Sequence, residues 1–176
     1  MPARNLDAEE IERALAAALG IAGQHDELGE VLAGIATLLG ARYPVSRVSV
    51  RTHDPADDSV LTAAVWTGGA PTQIAPGIRL PAKATSYYEV DRRGGAILSG
   101  WKDEAGAPLL DRMIHEEGNE SWVVIPLRKD ERLAGLLTVA ASAADAFEIP
   151  DLPFFEALGA ALGERLLKLA ARPPEA

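Results

Sequence analysis

The chain has 176 residues, a length that one hydrophobic core can organise, and its 48% hydrophobic content lets burial offset the entropy of ordering. Its 17 Lys and Arg against 26 Asp and Glu give 17 − 26 = −9, a charge that repels phosphate backbones and anionic lipid, so neither nucleic acid nor membrane is an expected partner. With zero cysteines there is no disulfide, no thiolate nucleophile or metal ligand and no thioether-linked chromophore, which excludes a covalent bilin.

Leu6 to Leu19 carries helix-start signals: Asp7 at the N-cap, Glu10 three residues on, and Leu6 placed to staple against Ile11. Gly20 and Gly23 are expected to interrupt it. Leu28, Val31, Leu32, Ile35, Leu38 and Leu39 then recur at helical spacing from about Asp26, with Gly40 as the stop. After Pro44 the period changes to two. In SRVSVRTHD the apolar Val48 and Val50 alternate with Arg47, Ser49 and Arg51, the pattern of a strand with one buried face. The turn cluster DPADDS leads into VLTAAVWTGG, a second strand closed by Gly68 and Gly69.

The stretch from Ala70 to Pro81 has three prolines and little periodicity and is expected to be loop. Thr85 to Arg93 predicts a short helix with Tyr87 and Val90 on one side, AILSGW a strand ending near Trp101, and Leu109 to Ile114 a helix ended by Gly118 and Asn119. Ser121 to Ser142, SWVVIPLRKDERLAGLLTVAAS, predicts a long hairpin around Lys129 to Arg132. Pro126 lacks a donor, so it should mark a bulge or the point where its strand leaves one neighbour, opening the sheet to a ligand. Asp151 opens the last helix, with Pro153 in its first turn, a stripe of Phe155, Leu158, Leu162, Leu166 and Leu169, and Pro173 and Pro174 at its close.

This element order resembles the GAF domain, a small-molecule-sensing module related to PAS domains. The specific match lies in the C-terminal half, where Pro126 and Leu127 on one strand, Gly135 and Leu137 on the next, and the helix DLPFFEALGAALGERL follow the family's order. The resemblance implies an α+β fold, an α/β sandwich: a central antiparallel sheet of about five or six strands, the terminal helices on one face, and short helices and loops over a pocket on the other. It implies a helical extension over 1–24, a sensor domain over 25–170 and a tail over 171–176.

All three tryptophans and two of three tyrosines lie between Trp66 and Trp122. Large aromatics are mostly packing, but here they also suit a pocket for a planar or apolar molecule, and the candidate ligand-binding set is Trp66, Tyr87, Trp101, Met113, His115, Trp122 and Val124. His25, His53 and His115 form no pair at metal-ligand spacing, so no metal is expected, and a single histidine on the mid-chain helix is weak support for haem. The adjacent Glu116 and Glu117 do not face each other on a helix and read as a solvated end, with no acid/base pair.

What the resemblance implies is a non-enzymatic sensory domain that binds a small molecule and signals through its terminal helices to an output domain of a bacterial signal-transduction or transcription regulator. One alternative is a ligand-free dimerisation or interaction domain. Another is an enzyme related to free methionine-R-sulfoxide reductases, which use cysteine redox chemistry that this chain lacks. The cyclic-nucleotide subtype's Asn-Lys-x-x-x-Phe-x-x-x-Asp-Glu pattern is absent as well. The leucine stripes of the first and last helices offer more apolar surface than one sheet face needs, which predicts a homodimer through them. No apolar run of about 18 residues and no basic, then apolar, start is present, so a cytoplasmic location is expected.

Overall fold

The computed structural model describes residues 6–101 and 106–172; Pro173, Pro174 and most of the expected tail lie outside them. Helix α1 (Ala8–Gln24) starts with the expected capping box, Asp7 accepting from the Glu10 amide and Glu10 reaching back to the Asp7 amide. It runs unbroken through Gly20 and Gly23, because its Ala18 and Ala22 are buried against the core and packing outweighs the low helix propensity of two glycines. Helix α2 (Leu28–Gly40) follows.

Strands β1 (Val45–Asp54), β2 (Ser59–Trp66) and β3 (Arg79–Pro81) precede helix α3 (Tyr87–Arg93), strand β4 (Ile97–Gly100) and helix α4 (Leu109–Glu116). The chain then forms the hairpin β5 (Ser121–Lys129) and β6 (Arg132–Ala141) and ends on helix α5 (Leu152–Ala170). Strand β3 lies within the stretch expected to be loop. At three residues ending on a proline it is too short to show a period, and it pairs as an edge strand from Leu61↔Arg79 to Ser59↔Pro81.

The six strands form one antiparallel sheet in the order β3-β2-β1-β6-β5-β4, with β1 and β6 at its centre. Helices α1, α2 and α5 cover one face, where Phe155, Leu158, Leu162 and Leu166 of α5 and Leu32 and Ile35 of α2 are fully buried with Val48, Val50, Val123, Ile125, Leu137 and Val139 of the sheet. Each such side chain contributes ~1.5 to 3 kcal/mol on leaving water. Leu28, Leu39 and Leu169 are buried there too, so both leucine stripes pack within one chain, while Leu19 of α1 stays about half exposed. The other face carries a second core beneath α3, α4 and the loops, built on Val60, Ile74, Tyr87, Val90, Ile114, Trp122, Val124, Leu136 and Ala140. Strand β1 is therefore buried on both faces. The expectation of a single buried face misses the second cover.

Pro126 stands where half of its expectation holds. The ladder to β6 continues through Pro126↔Leu136, but pairing with β4 ends at Ile97↔Val124, leaving that side of β5 open where a missing donor breaks no ladder. The stretch is met by α5. A Cβ at Gly159 would lie 2.9 Å from the Pro126 carbonyl oxygen and would overlap the Ile125 side chain. Alanine at Gly159 gains ~1 kcal/mol in helix propensity but incurs an overpacking cost of ~1 to 3 kcal/mol, because backbone is on the receiving side. Gly159→Ala is expected to lower stability by about 1 kcal/mol net, read from the urea midpoint at unchanged slope.

Candidate functional site

The polar half of β1 builds the site. Residues 47, 49 and 51 alternate away from Val48 and Val50, so Arg47, Ser49 and Arg51 point into the second core, in the middle of the sheet. Both guanidiniums are 2% exposed. Arg51 Nη1 donates to Ser49 Oγ at 3.1 Å and to Thr138 Oγ1 of β6 at 3.3 Å, while its Nε and Nη2 find no acceptor among the described residues. Arg47 Nη2 donates to the Ile74 carbonyl at 3.1 Å, and its Nε and Nη1 are likewise without a hydrogen-bond acceptor.

Charge compensation around the pair is thin. Glu117 Oε2 lies 4.0 Å from Arg47 Nη1, but the Glu117 carboxylate is already engaged by Thr72 Oγ1 at 2.8 Å and the Gln73 amide at 2.6 Å. Burial lowers the Arg47 guanidinium from its ordinary value, with Glu117 opposing. Arg51 falls to about 9, first through burial and then through repulsion from Arg47, with Asp111 and Glu117 opposing.

Arg51 lines a small cavity of about 10 Å³ with Ser86, Asp111, Ile114, Trp122, Val124 and other residues of the second core. That is room for about one water-sized group. Trp122 is fully buried, and its Nε1 donor is also unpartnered among the described residues. Asp111 on α4 is 8% exposed and is raised to about 6, chiefly by burial and then by Glu89, with Arg51 and the Ser86 and Ser99 hydroxyls pulling the other way. Asp111 also lines an outer cleft of about 590 Å³ with Leu98, Trp101, Pro108, Ser121 and Phe147 among its walls. The same residue thus borders both the inner cavity and the cleft.

The aromatic set predicted from sequence is dispersed. Trp122 and Val124 line the inner cavity and Trp101 the outer cleft. His115 stacks on Trp101, with centroids 4.3 Å apart, and sits beside Glu120 at 3.4 Å. Tyr87 packs in the second core, but its hydroxyl is spent on the Leu133 carbonyl at 3.0 Å and its ring on His53, 4.1 Å away. Met113 borders a separate depression with Pro71, Gln73 and Glu116. Trp66 packs against the helix-side core, across the sheet from Trp122, so the idea of one concave surface joining the two indoles is overturned.

The reason is a bulge. Ala64 pairs with Val50 and Thr62 with Arg51, leaving Ala63 without a partner, and this one extra residue reverses the facing of the end of β2. Arg47, Arg51 and Asp111 are the residues that sequence reasoning passed over. Their signal was present in Arg-Ser-Arg at alternate positions of a strand whose neighbouring hairpin is apolar on both faces. Among the described residues no group of three His, Asp or Glu side chains is placed to hold a metal ion, and no helix is long and apolar enough to cross a membrane.

Neither a protein-family model nor a curated protein matches the chain. Solved structures do. The chain is similar to a free methionine-R-sulfoxide reductase from Neisseria meningitidis solved with its substrate, with TM-score 0.67 and 20% identity over 93% of this chain and 91% of that one. It is similar to the GAF domain of a two-component sensor histidine kinase from Bacillus halodurans, with TM-score 0.62 and 14% identity over 93% and 96% of the two chains. A third likeness is to the GAF domain of an Acinetobacter phosphoenolpyruvate-protein phosphotransferase, with TM-score 0.67 and 16% identity over 92% and 95%. With a six-stranded antiparallel sheet in the order β3-β2-β1-β6-β5-β4, three helices on one face and two over the other, the chain has the GAF fold.

Proposed function

We propose that this protein is a non-enzymatic, GAF-type sensory domain that binds a small molecule between the sheet and the cover formed by α3 and α4. The observation that carries the reading is the polar content of the second core: Arg51 and Trp122 are buried, border a small cavity and carry side-chain donors that have no acceptor among the described residues. Buried donors without partners cost roughly 1 to 3 kcal/mol each, so a domain whose only task was packing or dimerisation would be better served by apolar residues there. The fold likeness to the GAF domains of a sensor kinase and a phosphotransferase supports a regulatory role. The reductase among the structural neighbours raises an enzymatic alternative, but sulfoxide reduction by cysteine chemistry has no thiol here to perform it. The output would run through α1 and α5, which pack on one another and join the sheet's covered face to the chain ends.

Native mass spectrometry of freshly purified protein tests the reading. A non-covalent adduct on the 18.6 kDa chain, lost on denaturation, is expected. Bare protein that also shows no thermal shift with any member of a metabolite panel would overturn ligand sensing and favour the interaction-domain alternative.

A further inference from the structure

Resting on that sensory reading, we propose that α4 is a roof over the second core that swings outward at its N-terminal end, giving water and small molecules access to Arg51 and Trp122. The cavity of about 10 Å³ is too small for an organic ligand, so a molecule reaches these side chains by displacing what covers them. Leu110, Asp111 and Ile114, all on α4, supply that cover. Apart from Ser86, the rest of the lining stands on β1, β5 and β6.

The two ends of α4 are held differently. At the C-terminal end Glu117 accepts from Thr72 Oγ1 and the Gln73 amide, and Asn119 accepts from Ser46 Oγ while donating to the Ile114 carbonyl at 3.0 Å. Towards the N-terminal end, Asp111 with the Ser86 and Ser99 hydroxyls is the hydrogen-bonded tie to other elements among the described residues. Gly106 and Gly118 flank the helix with φ of +103° and +96° and open space where a Cβ would stand, so backbone conformation selects glycine there. Each flank can absorb a rotation that a residue with a Cβ resists.

The closed state is held by opposing effects of similar size. Leu110 and Ile114 are 4% and 2% exposed and lose their burial when α4 leaves. Against this, Arg51 Nε and Nη2 and Trp122 Nε1 have no acceptor among the described residues, and water supplies one to each once the roof is off. A buried donor left unmet costs about as much as one buried leucine or isoleucine contributes, so three donors against two side chains leave a small margin. Asp111 acts in the same sense: burial and then Glu89 raise its carboxyl to about 6 although Arg51, Ser86 and Ser99 pull the other way, so a carboxylate also regains water at neutral pH.

The cysteine-free chain makes an introduced thiol a clean reporter. Val123 and Val124 are neighbours on β5 buried on opposite faces, the first under the helices of the helix-side core and the second beside the cavity roofed by α4. Val123→Cys and Val124→Cys, each in the full chain at about pH 8 without denaturant, are treated with iodoacetamide and followed by mass. The Val124→Cys thiol is expected to react about 100-fold or more faster than the Val123→Cys thiol, with the two rates converging as urea brings in global unfolding. Adding Arg51→Met to Val124→Cys should slow its reaction by about tenfold or more, because fewer donors gain water on opening. Hydrogen exchange of the unsubstituted chain follows the same motion without a new side chain: amides at 112–116 should exchange about 100-fold or more faster than the paired amides of β5 and β6.

Equal rates for the two thiols, a Val124→Cys rate untouched by Arg51→Met, or amides of α4 as protected as those of the sheet would each overturn the assignment. Equal thiol rates beside a retained adduct in the native mass spectrum remove the roof and leave ligand sensing standing. A fast Val124→Cys thiol in a chain that is bare and silent to every metabolite keeps the moving roof and removes the sensory reading.

Discussion

Replacing Arg51 by methionine should raise the stability of the ligand-free protein, by about 1 to 4 kcal/mol at pH 7.5. Arg51 is 2% exposed, donates to just two hydroxyls among the described residues, and repels the neighbouring Arg47. Taking a guanidinium out of water costs several kcal/mol, repaid only when its donors and its charge are matched, and replacement of poorly matched buried ions by apolar residues of similar length is often neutral or stabilising by 1 to 4 kcal/mol. Methionine keeps the unbranched stem and fills the space with a flexible thioether. Ser49 and Thr138 lose a donor, a small cost because hydroxyls can turn to other acceptors.

The direction is tied to pH. A base held at about 9 in the fold and well above that outside it binds fewer protons when folded, so the native protein gains stability as pH rises past about 9 and bears the full penalty at neutral pH. The gain from Arg51→Met should therefore shrink in alkali. Urea midpoints at pH 7.5 and pH 10 measure both effects, and a destabilised Arg51→Met at pH 7.5 would mean that the guanidinium's two hydroxyl contacts outweigh its burial. A stabilising loss of Arg51, coupled to lost ligand affinity, is the signature of a residue kept for binding at the expense of stability.

What was legible in the sequence follows the strength of its periods. The β5–β6 hairpin and α5 were readable because long apolar runs meet unambiguous turn and cap signals: Asp130 and Glu131 take the left-handed conformation that a two-residue hairpin requires, and Pro153 sits in the first turn of α5. Pro126 was readable in part, because β4 is too short to reach it. Three features were hidden for separate physical reasons. Strand β3 is three residues long and has no period to detect. Gly20 and Gly23 read as breaks because propensity is local, whereas the burial of Ala18 and Ala22 that holds α1 together depends on its partners α2 and α5.

The third is the site itself. Alternation on β1 was read from its valines, which assigns the arginines to solvent by default, and only the cover of α3 and α4 turns that face into an interior. The misplacement of Trp66 has the same origin at finer scale. Val60 and Thr62 face the second core with Arg51, and strict alternation would carry Trp66 with them, but the unpaired Ala63 shifts the count by one. A single inserted residue outweighs a perfect composition argument.

Asp111→Asn should stabilise the protein at pH 7.5 and leave it unchanged near pH 4. A carboxyl held at about 6 in the fold, against 3.8 outside it, keeps its proton more tightly when folded. Between about pH 4 and 6 the unfolded chain has lost that proton while the native one retains it, so native stability falls as pH rises through this window and the penalty is complete above it. The difference corresponds to on the order of 3 kcal/mol at neutral pH. Asparagine is neutral at every pH and nearly the same shape, so it mimics the protonated acid and removes the penalty. The groups around it set the discount: Glu89 repels the carboxylate and its influence disappears with the charge, whereas Arg51 attracts it and loses a neighbour. The expected gain is therefore about 1 to 3 kcal/mol at pH 7.5, measured as the difference in urea midpoints between the two proteins, with the other carboxylates cancelling in the comparison. An equal difference at pH 4 and pH 7.5 would show that Asp111 is ionised throughout and would sink the account.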